Sequence, residues 1–134
     1  MTKHLKLAKT LLFMGQMVQK KLGALETEVS ALKLIISNGN CEEIFNPVIP
    51  YIVQFGIKQK ELILSHNTAA FDYTPPNPII YNGKNVTAEI FERLPGLISA
   101  GLKKFNEEEL NLLWKKLKSA IAIASKLFSS NSTL

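Results

Sequence analysis

The chain is poor in the residues that do chemistry. Of 134 residues, one is cysteine, two are histidine, and Asp72 is the one aspartate. A single cysteine excludes an internal disulfide framework and a zinc site built from cysteines. His4 and His66 are far apart and neither belongs to a Glu-x-x-His pair, so no metal site and no cofactor are expected. The glycines stand isolated, which leaves no phosphate-cradling loop. No stretch approaches ~18 uncharged apolar residues, so no membrane-crossing helix is expected. Arginine is nearly absent too. Of the 16 basic residues only Arg93 is an arginine, which argues against base-specific recognition of nucleic acid, where the planar guanidinium is the usual reader.

What remains is ordinary for a globular chain: 46% hydrophobic and 20% charged residues with a net charge of +5. A single helical domain over residues 1–128, followed by a flexible polar tail at 129–134, is the expected organisation. The basic start (Lys3, Lys6, Lys9, Lys20, Lys21) precedes the first acid, Glu26. Its apolar run is short and no small-residue cleavage site follows, so a cytoplasmic location is expected.

The clearest pattern covers residues 4–37. Ala8, Leu11, Gly15, Val18, Leu22, Leu25, Val29, Leu32 and Ile36 step by three and four without a break, which predicts one long amphipathic helix. Leu7, Leu12, Met14 and Ile35 widen the stripe, as in a helix packed within a bundle. A homodimer is a second use of the same stripe. With Leu22, Leu25, Val29 and Leu32 at the seam of a parallel coiled coil, Lys21 meets Glu26 and Glu28 meets Lys33 on the partner, with opposite signs in both pairs.

Ser37-Asn38-Gly39 ends that helix, and Asn40 with Glu43 can cap the next. Residues 51–64 are apolar nearly all round and should lie in the core. A loop at 65–78 follows, then Ile79-Ile80-Tyr81 and Lys84-Asn85-Val86 about Asn82-Gly83, the pattern of a tiny hairpin at 79–86. Thr87 can cap a further helix carrying Leu94, interrupted at Pro95-Gly96. Asn106 with Glu109 forms a capping box for a long last helix through Leu110, Leu113, Leu117, Ala120, Ala124 and Leu127. The expected fold is therefore all-α, a bundle of four to five helices with one tiny hairpin. Leu22, Leu25, Leu32, Ile52, Phe55, Leu94, Leu113 and Leu117 are the expected core.

No catalytic constellation rises from this inventory. Ser65, His66 and Asp72 share one loop, but such a cluster is usually solvated. Cys41 lies at an expected helix start beside Glu42 and Glu43, which oppose a thiolate, so it reads as structural. The distinctive surface feature is the loop set Phe71, Tyr73, Pro75, Pro76, Pro78 and Tyr81. Stiff segments that carry aromatic residues anchor protein contacts at low entropic cost. Phe71 and Tyr81 could instead fold back as a lid on the helices. The function expected from sequence is a non-enzymatic helical module that binds another protein: an adaptor, an inhibitor, or an assembly chaperone of the kind mobile elements encode. The alternative is a basic helical module that lies on nucleic acid or an anionic membrane surface through its lysines.

Overall fold

The structure, a computed structural model, describes residues 2–73, 80, 81, 83–85, 96, 97, 100, 101 and 103–132, with the backbone alone at 80, 81, 84, 85 and 130–132. The chain is all-α in class. Helix α1 (Lys3–Leu22) starts at Thr2, whose hydroxyl accepts from the Leu5 N–H at 3.2 Å. There it ends: Gly23 takes the left-handed conformation (φ 65°) and its N–H closes on the Gln19 carbonyl. Leu25 is left-handed as well (φ 66°), and α2 (Glu26–Asn38) folds back against α1.

The single helix expected over 4–37 is thus two. The three-four spacing continues through the turn because α1 and α2 both face the same interior. Gly15 on α1 sits so close to α2 that an added Cβ would lie 3.1 Å from Val29 Cγ2. The four-heptad register behind a parallel dimer is broken at the same point.

Gly39 (φ 71°) ends α2, and the short α3 (Cys41–Phe45) follows. The cap expected from Asn40 and Glu43 does not form. Asn40 lacks the extended backbone of a capping residue (φ −106°, ψ 30°), and its Oδ1 is buried with no hydrogen-bond partner among the described residues. Pro50 sits in the first turn of α4 (Ile49–Lys58), where its missing N–H costs nothing. Gln59 then separates α4 from α5 (Lys60–Leu64), so residues 51–64 are two helices rather than one. Gln59 Nε2 donates to the Ala70 carbonyl at 3.0 Å, holding a 3-10 turn (Thr68–Phe71) beneath α5.

Strand β1 (Ile80–Tyr81) pairs antiparallel with β2 (Lys84–Asn85), Ile80 opposite Asn85, with Gly83 at φ 76°. Thr87, Leu94 and Pro95 of the next expected helix lie outside the described residues. Residues 96, 97, 100, 101, 103 and 104 are helical. The last helix, α6 (Glu107–Ser132), runs through residues 129–132, further than the polar composition there indicates. It lies antiparallel to α1: Lys21 pairs with Glu109 at 3.1 Å, and Lys116 lies over the Phe13 ring.

Two buried clusters hold these elements. The first joins Leu7 and Ala8 of α1 to Cys41, Phe45, Ile49, Val53, Ala120, Ala124 and Leu127. The second joins Phe55, Ile63, Ala70 and Trp114. Small residues let α4 and α6 approach closely: a Cβ on Gly56 would lie 2.5 Å from Ile121 Cγ2. Of the expected core, Phe55 is buried, while Leu22, Leu25, Leu32, Ile52, Leu113 and Leu117 are half-buried. Leu32 and Ile52 flank the first cluster; the others face a cavity described below.

The start of α6 shows a reciprocal box. Asn106 Oδ1 accepts from the Glu109 N–H at 2.8 Å, and Glu109 Oε1 accepts from the Asn106 N–H at 3.0 Å. The Asn106 N–H holds the Glu109 carboxyl below its ordinary value of 4.5; desolvation opposes this and Lys21 reinforces it. A carboxyl lowered on folding stabilises above its unfolded pKa, and that contribution is lost as pH falls through the folded pKa. Glu109→Gln should therefore lower the melting temperature at pH 7, and the gap from the parent chain should close on acidification below 4.5. A gap that persists in acid would mean that Glu109 acts through packing rather than charge.

Candidate functional site

Helices α1 and α6 lie side by side, and apolar residues of both line one cavity. Helix α1 contributes Leu11, Met14, Gly15, Val18 and Leu22, and α6 contributes Leu110, Leu113, Trp114 and Leu117. Leu25, the 3-10 turn (Thr68 and Phe71) and the helical residues Leu97, Gly101 and Phe105 complete the wall. The result is a cavity of about 300 Å³. Among its described lining residues Thr68 supplies the one polar side chain. A left-handed leucine costs on the order of 1–2 kcal/mol; at Leu25 that conformation places the side chain in this wall.

No family model, curated protein or solved structure matches this chain. Its function is then read from the site, since an all-α fold alone implies none.

Two of the aromatic loop residues, Phe71 and Tyr73, turn inward. Phe71 packs on Phe55 at 5.9 Å and on Trp114 at 5.7 Å between ring centroids, and Tyr73 meets Phe55 edge-on at 5.6 Å. These two residues form a lid over the second cluster. Pro75, Pro76 and Pro78 lie outside the described residues, and Tyr81 is placed by its backbone in β1.

The residues expected to self-associate are dispersed. Lys21 is bound to Glu109, Leu22 and Leu25 line the cavity, and Val29 is 2% exposed beneath α1. Leu32 packs on the first cluster, Glu28 is half-buried, and Glu26 and Lys33 face outward. The pairings Lys21 with Glu26 and Glu28 with Lys33 required one unbroken helix, which Gly23 and Leu25 interrupt.

The hydrolase-like cluster is wired otherwise. Ser65 Oγ donates to the Glu61 and Leu62 carbonyls. His66 Nε2 lies 2.8 Å from Lys118 Nζ; since an ammonium only donates, the imidazole nitrogen accepts. The His66 ring stacks on Trp114, 5.1 Å between centroids and nearly parallel at 6°. Its nitrogen is thus engaged by a cation and not by a serine hydroxyl. His4 pairs with Asn46, and Cys41 is buried in the first cluster. Among the described residues no three of His, Cys, Asp and Glu converge, and no helix is long and apolar enough to cross a membrane.

Sequence reasoning placed Leu22, Leu25, Leu113 and Leu117 of the cavity wall in the core but did not find the cavity. The available signal was the width of both stripes.

Proposed function

We propose that the protein is a non-enzymatic helical binding module whose site is the α1–α6 cavity, where an apolar group of its partner is held. The observation that carries this reading is a wall whose described side chains are aliphatic and aromatic apart from Thr68. Water finds almost no hydrogen-bond partner in such a space, whereas an apolar group gains dispersion contacts on every side. The volume falls at the lower end of small-molecule sites. A protein partner would enter with a row of aliphatic side chains, as an amphipathic helix does in a groove. This keeps the binding class expected from sequence and moves the site from the loop to the helices. The bonds made by Ser65 and His66, which tie both into the scaffold, support a binding rather than a catalytic reading.

Trp114, the chain's one tryptophan, stands in the wall, so its emission reports occupancy. An uncharged apolar dye, N-phenyl-1-naphthylamine, should change that emission with a micromolar dissociation constant. Leu113→Phe, which fills the space from α6, should weaken the dye at least about tenfold while stability holds or rises by up to about 2 kcal/mol. Absence of dye binding, or unchanged binding to the filled variant, would rule the cavity out as the site.

A further inference from the structure

We propose that the outer face of α1 is a docking surface for an anionic lipid bilayer, on which the helix lies flat. The inference is independent of the cavity, which is lined by the opposite side of the same helix.

The location of charge is the first observation. Of the 16 basic and 11 acidic residues in the chain, α1 holds five basic ones and no acid, which leaves 11 of each elsewhere. The whole net charge of +5 is therefore carried by one helix. Lys6, Lys9, Phe13, Gln16 and Lys20 step by three and four, so they form one stripe about 21 Å long. All five are exposed. The other side of the helix is occupied: Leu7 and Ala8 are buried against α3, α4 and α6, and Leu11 and Val18 line the cavity.

Packing leaves most of this charge in place. Lys21, which lies off the stripe, pairs with Glu109, and Glu109 also offsets part of the charge at Lys20. The positive excess is thus weighted toward Lys6 and Lys9. Helix α6 adds a further cation at mid-stripe, where Lys116 Nζ lies 4.6 Å from the centre of the Phe13 ring.

Three features favour a lipid surface over other anions. A plane touches a cylinder along one line, and the stripe is such a line. Its cations are all lysines, point charges on flexible stems that follow a diffuse field, whereas individual phosphates and carboxylates are gripped bidentately by arginine. At its centre stands Phe13, 37% exposed, an apolar ring at the place where a nucleic acid or an acidic peptide would set its charges. In a bilayer that ring enters the boundary between head groups and acyl chains, while the lysines on either side stay among the head groups.

The test is sedimentation of the full chain with phosphatidylcholine vesicles, either pure or containing about 30% phosphatidylglycerol, at about 50 mM salt. The chain should bind the anionic vesicles, leave the pure ones, and be released at about 0.5 M salt. A lysine at such a surface is worth about fivefold in partitioning, so joint replacement of Lys6, Lys9 and Lys20 by glutamine should weaken binding about a hundredfold. Phe13→Ser should weaken it about fivefold. Joint replacement of Lys33, Lys58 and Lys60, exposed on α2, α4 and α5, removes the same charge and should stay within about threefold. The comparison is made on variants that melt with the parent; the single Lys9→Gln, expected to weaken binding about fivefold, repeats it with the least disturbance. Equal losses from the two triple variants would overturn the assignment to α1. Equal binding to pure phosphatidylcholine, or no binding to anionic vesicles at the lower salt, would overturn the docking surface itself. Tighter binding to a DNA duplex or single strand than to anionic vesicles at the same salt would make nucleic acid the occupant and overturn the lipid assignment.

Discussion

Trp114→Ala should cost about 3–5 kcal/mol of stability, the largest loss expected from any single replacement in this chain. Trp114 is 8% exposed and ties three parts of the structure together. On one side it belongs to the second cluster with Phe55, Ile63 and Ala70; Phe71 of the turn packs on it at 5.7 Å; His66 stacks on its face at 5.1 Å. Alanine would remove the indole, enlarge the cavity by its volume and release the 3-10 turn from α6. Surrounding elements can collapse only in part, because Gln59 fixes the turn from the other side. For a domain of this size the loss corresponds to a drop in melting temperature of very roughly 10–20 °C. Trp114→Phe keeps an apolar ring and should cost less than half as much. A loss under about 1 kcal/mol for the alanine variant would mean that the second cluster is not a stabilising core.

Leu7→Ala should come next, at about 2–5 kcal/mol. Leu7 is fully buried at 0% exposure in the first cluster, packed among α3, α4 and the C-terminal half of α6. Truncation leaves a void with walls on all sides. Leu25 provides the comparison. It belongs to the same apolar series in the sequence but is half-buried and opens on the cavity, so Leu25→Ala should cost distinctly less than Leu7→Ala. Urea denaturation of the two variants under one set of conditions checks the order. Equal losses would place Leu25 in a closed core and contradict the geometry of the α1–α2 turn.

The contrast between these two leucines shows where sequence was readable. Several local features were legible, namely the Asn106–Glu109 box, the glycine end of α2 and the long periodic run of α6, although the box expected at Asn40 and Glu43 did not form. All-α class followed from the same local periodicity. The α1–α2 turn was not legible, because a helical hairpin whose arms face one interior preserves the spacing of a continuous helix. Gly23 was the one visible cue, and a left-handed Leu25 runs against local preference. Tertiary packing imposes it. The loop aromatics stood out in the sequence, but whether such residues face a partner or the chain's own core depends on what lies across from them. Here Phe55 and Trp114 lie across from Phe71, and neither adjoins it in sequence. The cavity was hidden for the same reason. A stripe announces that it will be covered, not by what, nor how completely.

Helix α6 passes through both buried clusters, and its two halves are held very differently. Toward its C-terminal half, Ala120 and Ala124 lie fully buried against α1, α3 and α4, and Ile121 leaves no room for a Cβ on Gly56. Toward its N-terminal half, Leu110, Leu113 and Leu117 border open space. Added volume is therefore expected to be accepted on the cavity side of the N-terminal half, at Leu113, and resisted at Ala120 and Ala124, where a larger side chain would have to displace packed neighbours.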